Sequence, residues 1–199
     1  MFIDTTKFKK AVKDSYNGLG LQVTHFEDGI IQVKGTSFIL NVHKEDINNK
    51  CMAALVEFIG QLPSEGKTVE YAGKKRKDSF DVIEPDGHHL LEDFTKGQKM
   101  TDTRIMVQRE ETCYSVFQNV ETMEPCLIRR DSQLIVDPYK VDDQNDEMPP
   151  SLPVLYGYLL IWNNDTMQFG VPIMPCANNG EKEFLRLING KNMCWPFID

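Results

Sequence analysis

The chain of 199 residues is 41% hydrophobic and 26% charged, and its 30 acidic and 22 basic side chains give a formal net charge of −8. This composition is typical of a globular protein and excludes disorder over most of the chain. The acidic excess argues against non-specific nucleic-acid binding, which depends on lysine and arginine contacts with phosphates, and against an anionic membrane surface.

Residues 5–17 predict a first helix. Phe8 and Val12 lie on one face at helical spacing, and Thr5 or Thr6 can cap the N-terminus. The hydrophobic period then changes from helical to alternating, which predicts a β-meander around an Asp-Gly hairpin turn at 28–29.

A second helix is predicted over residues 47–61, with Asp46 as its N-cap. Apolar side chains there recur at the i, i+3, i+4, i+7 spacing of a buried helix face; they are Met52, Leu55, Val56 and Ile59.

From Thr103 onward, short alternating segments are separated by turns without intervening helices, which indicates antiparallel pairing. Residues 154–162 are apolar on both faces, so we expect one strand that is buried on both sides. Residues 167–174 are expected to pair with it, and Pro172 predicts that this partner ends early or lies at a sheet edge.

A last helix is predicted near residues 179–189, with Phe184, Leu187 and Ile188 buried against the sheet. The sequence thus predicts an α+β fold, mainly an antiparallel sheet with about three covering helices near 5–17, 47–61 and 179–189.

We expect a single domain, 1–199; if the chain is divided, the subdivision falls into 1–97 and 103–199. Residues 142–153 contain three prolines and four acidic side chains, which predicts an exposed acidic, proline-rich loop.

The cysteines and the N-terminus together predict a cytoplasmic protein. Five widely spaced cysteines without a C-x-x-C pair do not resemble a disulfide framework, so we expect reduced thiols. The N-terminus lacks the pattern of a signal peptide, and the longest apolar stretch is far shorter than the roughly 20 residues that span a bilayer.

The sequence lacks the common nucleotide-binding, zincin, lipase and EF-hand motifs. The best local cluster for chemistry is His88, His89, Glu92 and Asp93. In a helix these residues form two imidazole–carboxylate pairs at i, i+4 spacing, which suits a divalent transition metal such as zinc or iron. The other interpretation is a solvated turn without metal, and the sequence as a whole predicts no cofactor.

Two further features have a plain structural interpretation beside a functional one. Cys113 could be a nucleophile, but a free cysteine is more often a small buried hydrophobic residue. The basic run 74–77 could contact phosphate or an acidic partner, but a solvated hairpin tip is favoured, since no aromatic residues are interleaved for stacking on bases.

The segment 193–199 is unusually apolar for a chain end. It either packs on the protein's own core, which the sequence favours, or offers Trp195 and Phe197 as binding residues to another protein.

Two functions from different classes follow. The first is a non-catalytic protein-binding or regulatory module, whose acidic surface engages a basic protein partner. The alternative is a metal-assisted hydrolase or other small-molecule enzyme that uses the His88, His89, Glu92 and Asp93 cluster. Neither hypothesis includes nucleic acid or membrane as a partner.

Overall fold

The computed structural model describes residues 1–18, 20–77, 80–81, 96–139 and 148–192, with the backbone alone for 80–81 and 188–192. The fold is α+β, with a large antiparallel sheet and four helices among the described residues. All strand pairings among the described residues are antiparallel. The predicted fold class is confirmed.

Helix α1 spans Thr5–Asn17, as predicted, and buries Phe8 and Val12. Its N-cap is Asp4, and not Thr5 or Thr6. The Asp4 carboxylate accepts hydrogen bonds from the Thr6 and Lys7 N–H groups at 3.0 and 3.1 Å, which satisfies donors that the helix leaves open.

The predicted meander is confirmed as strands β1 (Leu21–His25), β2 (Ile30–Lys34) and β3 (Ile39–His43). Strand β4 (Lys67–Ala72) pairs with the other edge of β1, and the short strands β5 (Lys75–Arg76) and β6 (Phe80–Asp81) both pair with β4.

Helix α2 spans Asn49–Ile59, two residues shorter at each end than predicted. Asn48 is the N-cap instead of Asp46, because its side chain accepts from the Cys51 N–H at 2.7 Å. The buried face comprises Cys51, Ala54, Leu55 and Ile59. Met52 and Val56 of the predicted stripe are half-buried.

The second half of the chain supplies strands β7 (Gln98–Arg109), β8 (Thr112–Asn119), β9 (Pro125–Arg129), β10 (Val154–Tyr156), β11 (Leu159–Asn163) and β12 (Met167–Met174). A one-turn helix α3 (Arg130–Gln133) follows β9, and helix α4 (Asn179–Asn192) follows β12.

The strands join in the order β11-β10-β7-β8-β9-β12-β3-β2-β1-β4-β5, with β6 also on β4. Because β11 pairs with β12 as well as with β10, six strands of the second half form a closed circuit. The meander extends from this circuit through the pairing of β3 with β12.

Two strand predictions were wrong. Residues 154–162 form a hairpin instead of one strand, since Gly157 adopts φ +58° and Tyr158 is 63% exposed between β10 and β11. Strand β12 lies inside the sheet, and Pro172 falls where β12 changes its neighbour from β3 to β9. Gly170 is the last residue paired to β3, and Ile173 is the first paired to β9. Pro172 lies between them, where neither of these two strands needs an N–H donor from β12.

The predicted loop 142–153 is described only from residue 148. Met148 and Leu152 are exposed, as predicted, whereas Pro153 is buried next to β10. Residues 142–147 lie outside the described part of the chain.

Aromatic side chains form the centre of the main core. Phe38 of the meander makes an edge contact with Phe8 of α1 at 5.6 Å and stacks on Phe169 of β12 at 5.8 Å, both between ring centroids. Within the closed circuit, Phe117 of β8 and Trp162 of β11 pack edge to face, with their ring centroids 5.7 Å apart. These contacts join α1 and both halves of the sheet into one hydrophobic cluster.

Within the described ranges, no helix is long and apolar enough to cross a membrane. Cys51, Cys113, Cys126 and Cys176 form no disulfide with one another.

Candidate interaction surfaces

Helix α4 exposes two of the three apolar side chains that were predicted to be buried. Phe184 and Leu187 are each 60% exposed, whereas Leu185 is 1% exposed. Leu185 packs against Val116 of β8 and Leu127 of β9. The side chain of Ile188 lies outside the described residues, and the helix continues through Gly190 to Asn192.

An ion pair fixes the first turn of α4 to the end of β7. Arg109 contacts Glu181 through two bonds, Nε to Oε1 at 3.2 Å and Nη2 to Oε2 at 2.6 Å. The guanidinium also donates to the Pro175 carbonyl and lies 5.4 Å from the centre of the Tyr114 ring, a cation–π distance. Such a two-bond contact fixes orientation as well as position.

A second acidic group, Glu124, pairs with two cations of α4. It contacts Lys182 at 2.5 Å and also Arg186. The hydrogen bond from Lys182 lowers the pKa of Glu124 below its ordinary value, and Arg186 adds to this effect.

The Glu181 carboxyl is also stabilised in its charged form. Burial favours the neutral form, but hydrogen bonds from the Ala177 N–H and from Arg109 outweigh it, so the pKa of Glu181 is lowered. Polar contacts therefore hold one side of α4, and the side with Phe184 and Leu187 faces solvent. We call this exposed pair the α4 face.

The bulge in β7 holds a polar network that does not resemble a catalytic site. Between Asp102 and Met106 the register with β8 shifts, and Arg104 adopts φ +60°. The amide of Gln133 donates to Asp102 at 2.8 Å, and its oxygen accepts from Arg130 at 2.7 Å and from Ser115. Since the serine hydroxyl donates to an amide and not to a base, this network ties α3 to β7 and β8 without activating a nucleophile.

Burial makes the thiols poor nucleophiles. It raises the pKa of Cys51 to about 11 and that of Cys126 to about 12, and it also raises the pKa of Cys176. Thiol groups with such values are almost wholly protonated at neutral pH. Cys113 is half-buried in β8.

The other sequence-predicted site residues fall outside the described residues. These are His88, His89, Glu92 and Asp93 of the metal hypothesis, and Trp195 and Phe197 of the aromatic tail. Within the described ranges, no group of three or more His, Cys, Asp or Glu side chains could hold a metal ion.

The basic run 74–77 lies at a hairpin tip, as favoured from the sequence. Gly73 and Lys74 adopt φ +56° and +67°, the signs required at both central positions of a type I′ turn between β4 and β5. A groove of about 390 Å³ lies between the N-terminal half of α1 and α2, and Lys9 and Glu57 on its lining pair at 2.5 Å.

Charge is divided unevenly along the chain. Residues 1–77 contain twelve basic and nine acidic side chains, whereas residues 78–199 contain ten basic and twenty-one acidic ones. Exposed large apolar side chains are divided in the same way: all of those among the described residues lie at position 106 or later. The described residues 1–77 thus carry a net positive charge and expose no large apolar side chain, whereas the exposed apolar side chains lie in the later part of the chain, which is acidic in sequence.

No protein-family model matches the sequence, and no curated protein matches it significantly. The structure is similar to the β subunit of DNA polymerase from Streptococcus pyogenes, with a TM-score of 0.35 and 10% identity, covering 88% of this chain and 64% of that one. It is also similar to the β chain of DNA polymerase III from Streptococcus pneumoniae TIGR4, with a TM-score of 0.36 and 8% identity over 88% of this chain and 65% of that one.

The chain therefore spans about two thirds of the length of these two proteins. At such low TM-scores and identities, the likeness carries no conclusion about a partner or an activity.

Proposed function

We propose that the chain is a non-catalytic protein-binding module that contacts its partner through the α4 face. The observation that carries this proposal is the 60% exposure of both Phe184 and Leu187 on one side of a helix. Residues three apart on a helix are neighbours on its surface, so the two side chains form one apolar patch.

The anchoring of α4 supports a binding role. Arg109 and Glu124 form ion pairs with the side of α4 that faces the sheet. The exposed side of the helix therefore has a fixed orientation in the unbound protein. A preoriented helix loses little conformational entropy on binding. This arrangement suits the mode in which a helix places apolar anchors in a groove of another protein.

The acidic excess in the sequence of residues 78–199 suggests the chemistry of the partner. Glu183 beside Phe184 is 64% exposed at its side chain, and the second part of the chain carries an excess of acidic residues. We therefore expect an apolar groove with a basic rim. In the same proposal, Trp195 and Phe197 of the segment that follows α4 extend the contact, and the acidic residues of 142–153 add to the attraction.

The test compares the double variant Phe184→Ser/Leu187→Ser with a matched control, Met106→Ser/Val120→Ser. The control also removes two exposed apolar side chains, which are 59% and 47% exposed, but it leaves α4 intact. Proteins cross-linked to the wild-type chain in its native lysate should be retained by the control and lost from the α4 variant.

Thermal unfolding shows whether the α4 face is exposed to solvent or covered by other residues of the chain. Substitutions at exposed positions change stability by no more than about 0.5 kcal/mol, so both variants should unfold at the temperature of the wild type. A loss of about 2 kcal/mol or more in the α4 variant alone would mean that the chain's own residues cover the face. Self-association that disappears in this variant would assign the face to a second copy, and either result would refute the proposal.

Deleting residues 193–199 tests the aromatic tail separately. If Trp195 and Phe197 bind the partner, the deletion weakens cross-linking without changing the unfolding temperature. If the tail packs on the protein's own core, the deletion lowers that temperature.

A further inference from the structure

Helix α1 presents a row of cations to solvent. Its exposed side carries four lysines and one acidic residue, while Phe8 and Val12 face the core; the exposed charged residues are Lys7, Lys9, Lys10, Lys13 and Asp14. Lys9 pairs with Glu57 and Lys7 approaches Asp4 at 3.7 Å. Among the described residues, no acidic group lies within ion-pair distance of Lys10 or Lys13.

The basic hairpin tip continues this row. The Gly73 N–H donates to the Gly18 carbonyl at 3.1 Å, and the Lys74 N–H donates to the Tyr16 carbonyl at 2.9 Å. These bonds hold the β4–β5 turn against the C-terminal end of α1. The lysines of α1 and residues 74–77 thus form one surface, which we call the basic surface.

The dimensions of this surface suit an extended polyanion. Helix α1 has 13 residues, so at 1.5 Å per residue it is about 20 Å long, and the hairpin tip extends the row further. Five cations on it have no acidic partner among the described residues; they are Lys10, Lys13, Lys74, Lys75 and Arg76.

The basic surface lacks what a protein interface needs at its centre. No large apolar side chain within described residues 1–77 is exposed, whereas protein interfaces have an apolar core surrounded by a polar rim. Contact with phosphates requires only cations and hydrogen-bond donors. The expectation that this chain does not bind nucleic acid depended on its average charge, which does not describe this surface.

We propose that the basic surface binds the phosphate backbone of duplex nucleic acid without reading its sequence. A duplex is favoured over a single strand, because single-strand binding also uses aromatic side chains for stacking. Tyr16, the aromatic residue of α1 closest to the tip, is instead packed against Phe58 and Tyr71. The proposal is independent of the α4 face, which belongs to a different element.

Fluorescence anisotropy of a labelled duplex of random sequence, titrated with the full chain at several salt concentrations, tests the proposal. If five cations neutralise five phosphates, the logarithm of the affinity falls with the logarithm of salt with a slope of about −4.5. The affinity then drops about 500-fold between about 50 and about 200 mM salt.

Charge-neutralising variants locate the contact. Lys10→Gln/Lys13→Gln and, separately, Lys75→Gln/Arg76→Gln should each reduce the size of the slope by about 1.8. The matched control, Lys99→Gln/Arg129→Gln, removes two exposed cations from the second half of the chain and should leave the slope unchanged. The exposed positions make a folding defect unexpected, and circular dichroism verifies this for each variant.

Three results would overturn the proposal. The first is no binding to the duplex at about 50 mM salt. The second is an equal loss of slope in the control and in the basic-surface variants. The third is full competition by polyglutamate at the same concentration of charge, which would assign the surface to an acidic polypeptide.

Discussion

Replacing Glu181 by glutamine should loosen α4 without unfolding the sheet. The side chains of Arg109 and Glu181 are 24% and 18% exposed, so their pair lies between a surface ion pair, worth about 0.2–1 kcal/mol, and charge-assisted hydrogen bonds, worth about 1.5–3 kcal/mol each. Glutamine retains the shape but loses the charge. Its NH₂ group then faces a donor in either orientation, Arg109 Nε in one and both Arg109 Nη2 and the Ala177 N–H in the other. We expect Glu181→Gln to cost about 1.5 kcal/mol.

The free-energy cost of Glu181→Gln should appear as more frequent local unfolding of α4. Among the described side chains of α4, Leu185 is the buried apolar one. The other described contacts of these side chains are largely ionic, so α4 can open while the main core stays intact. A change of about 1.4 kcal/mol is tenfold in an equilibrium constant. Hydrogen exchange measured by mass spectrometry should therefore become about tenfold faster in α4 and stay unchanged in the peptides of β1 to β3.

Glu183→Gln is the matched control, since its carboxylate is 64% exposed and lies 3.9 Å from Arg186. This variant should alter exchange in α4 by less than about twofold. Unchanged exchange of α4 in Glu181→Gln would refute the anchoring role of the ion pair. A uniform increase over α4 and the sheet would refute the view that the helix opens alone.

Three further predictions concern the same helix, the core and the thiols. The lowered pKa values of Glu124 and Glu181 mean that their stabilisation of α4 is complete above the ordinary glutamate value of 4.5 and is lost as the pH falls through the folded values. Exchange of α4 measured against pH should rise on acidification before the sheet unfolds, and simultaneous unfolding would contradict this. Gly35→Ala should cost about 1–3 kcal/mol in urea unfolding, because the added Cβ would lie 2.4 Å from a ring carbon of the fully buried Phe38; a cost below about 0.5 kcal/mol would show that the ring can move. Cys126, 6% exposed with a pKa of about 12, should react with iodoacetamide at neutral pH only in urea, and rapid labelling of the native protein would contradict this.

Residue spacing correctly predicted the elements whose apolar residues lie on a single face. In α1, Phe8 and Val12 lie on one side and lysines on the other, so the helix could be placed at residues 5–17 with its buried face. The glycine of the Asp-Gly pair at 28–29 likewise marked the first hairpin. Gly29 adopts φ +83°, whereas Asp28 does not have the positive φ that a type I′ turn requires at both central positions.

The pattern of α4 was ambiguous, and its interpretation was wrong. Apolar residues at 184, 185, 187 and 188 surround more than one side of the helix, so periodicity alone could not select the buried one. Only the folded chain shows which side is buried: Leu185 packs on β8 and β9, next to the ion pairs of α4 with Arg109 and Glu124, and Phe184 is exposed. A sequence signal was present in Glu181, Lys182 and Arg186, but their partners are 58–72 residues away.

The sequence by itself determined the α+β class, the first helix and meander, and the total charge. These features follow from residue spacing within a few turns or strands, where neighbours in the sequence are also neighbours in space. The tertiary structure alone decided the closed circuit of six strands, the exposed side of α4, and the joining of the α1 lysines to residues 74–77. Each of these depends on contacts between distant segments, whose geometry is fixed only when the whole sheet is assembled.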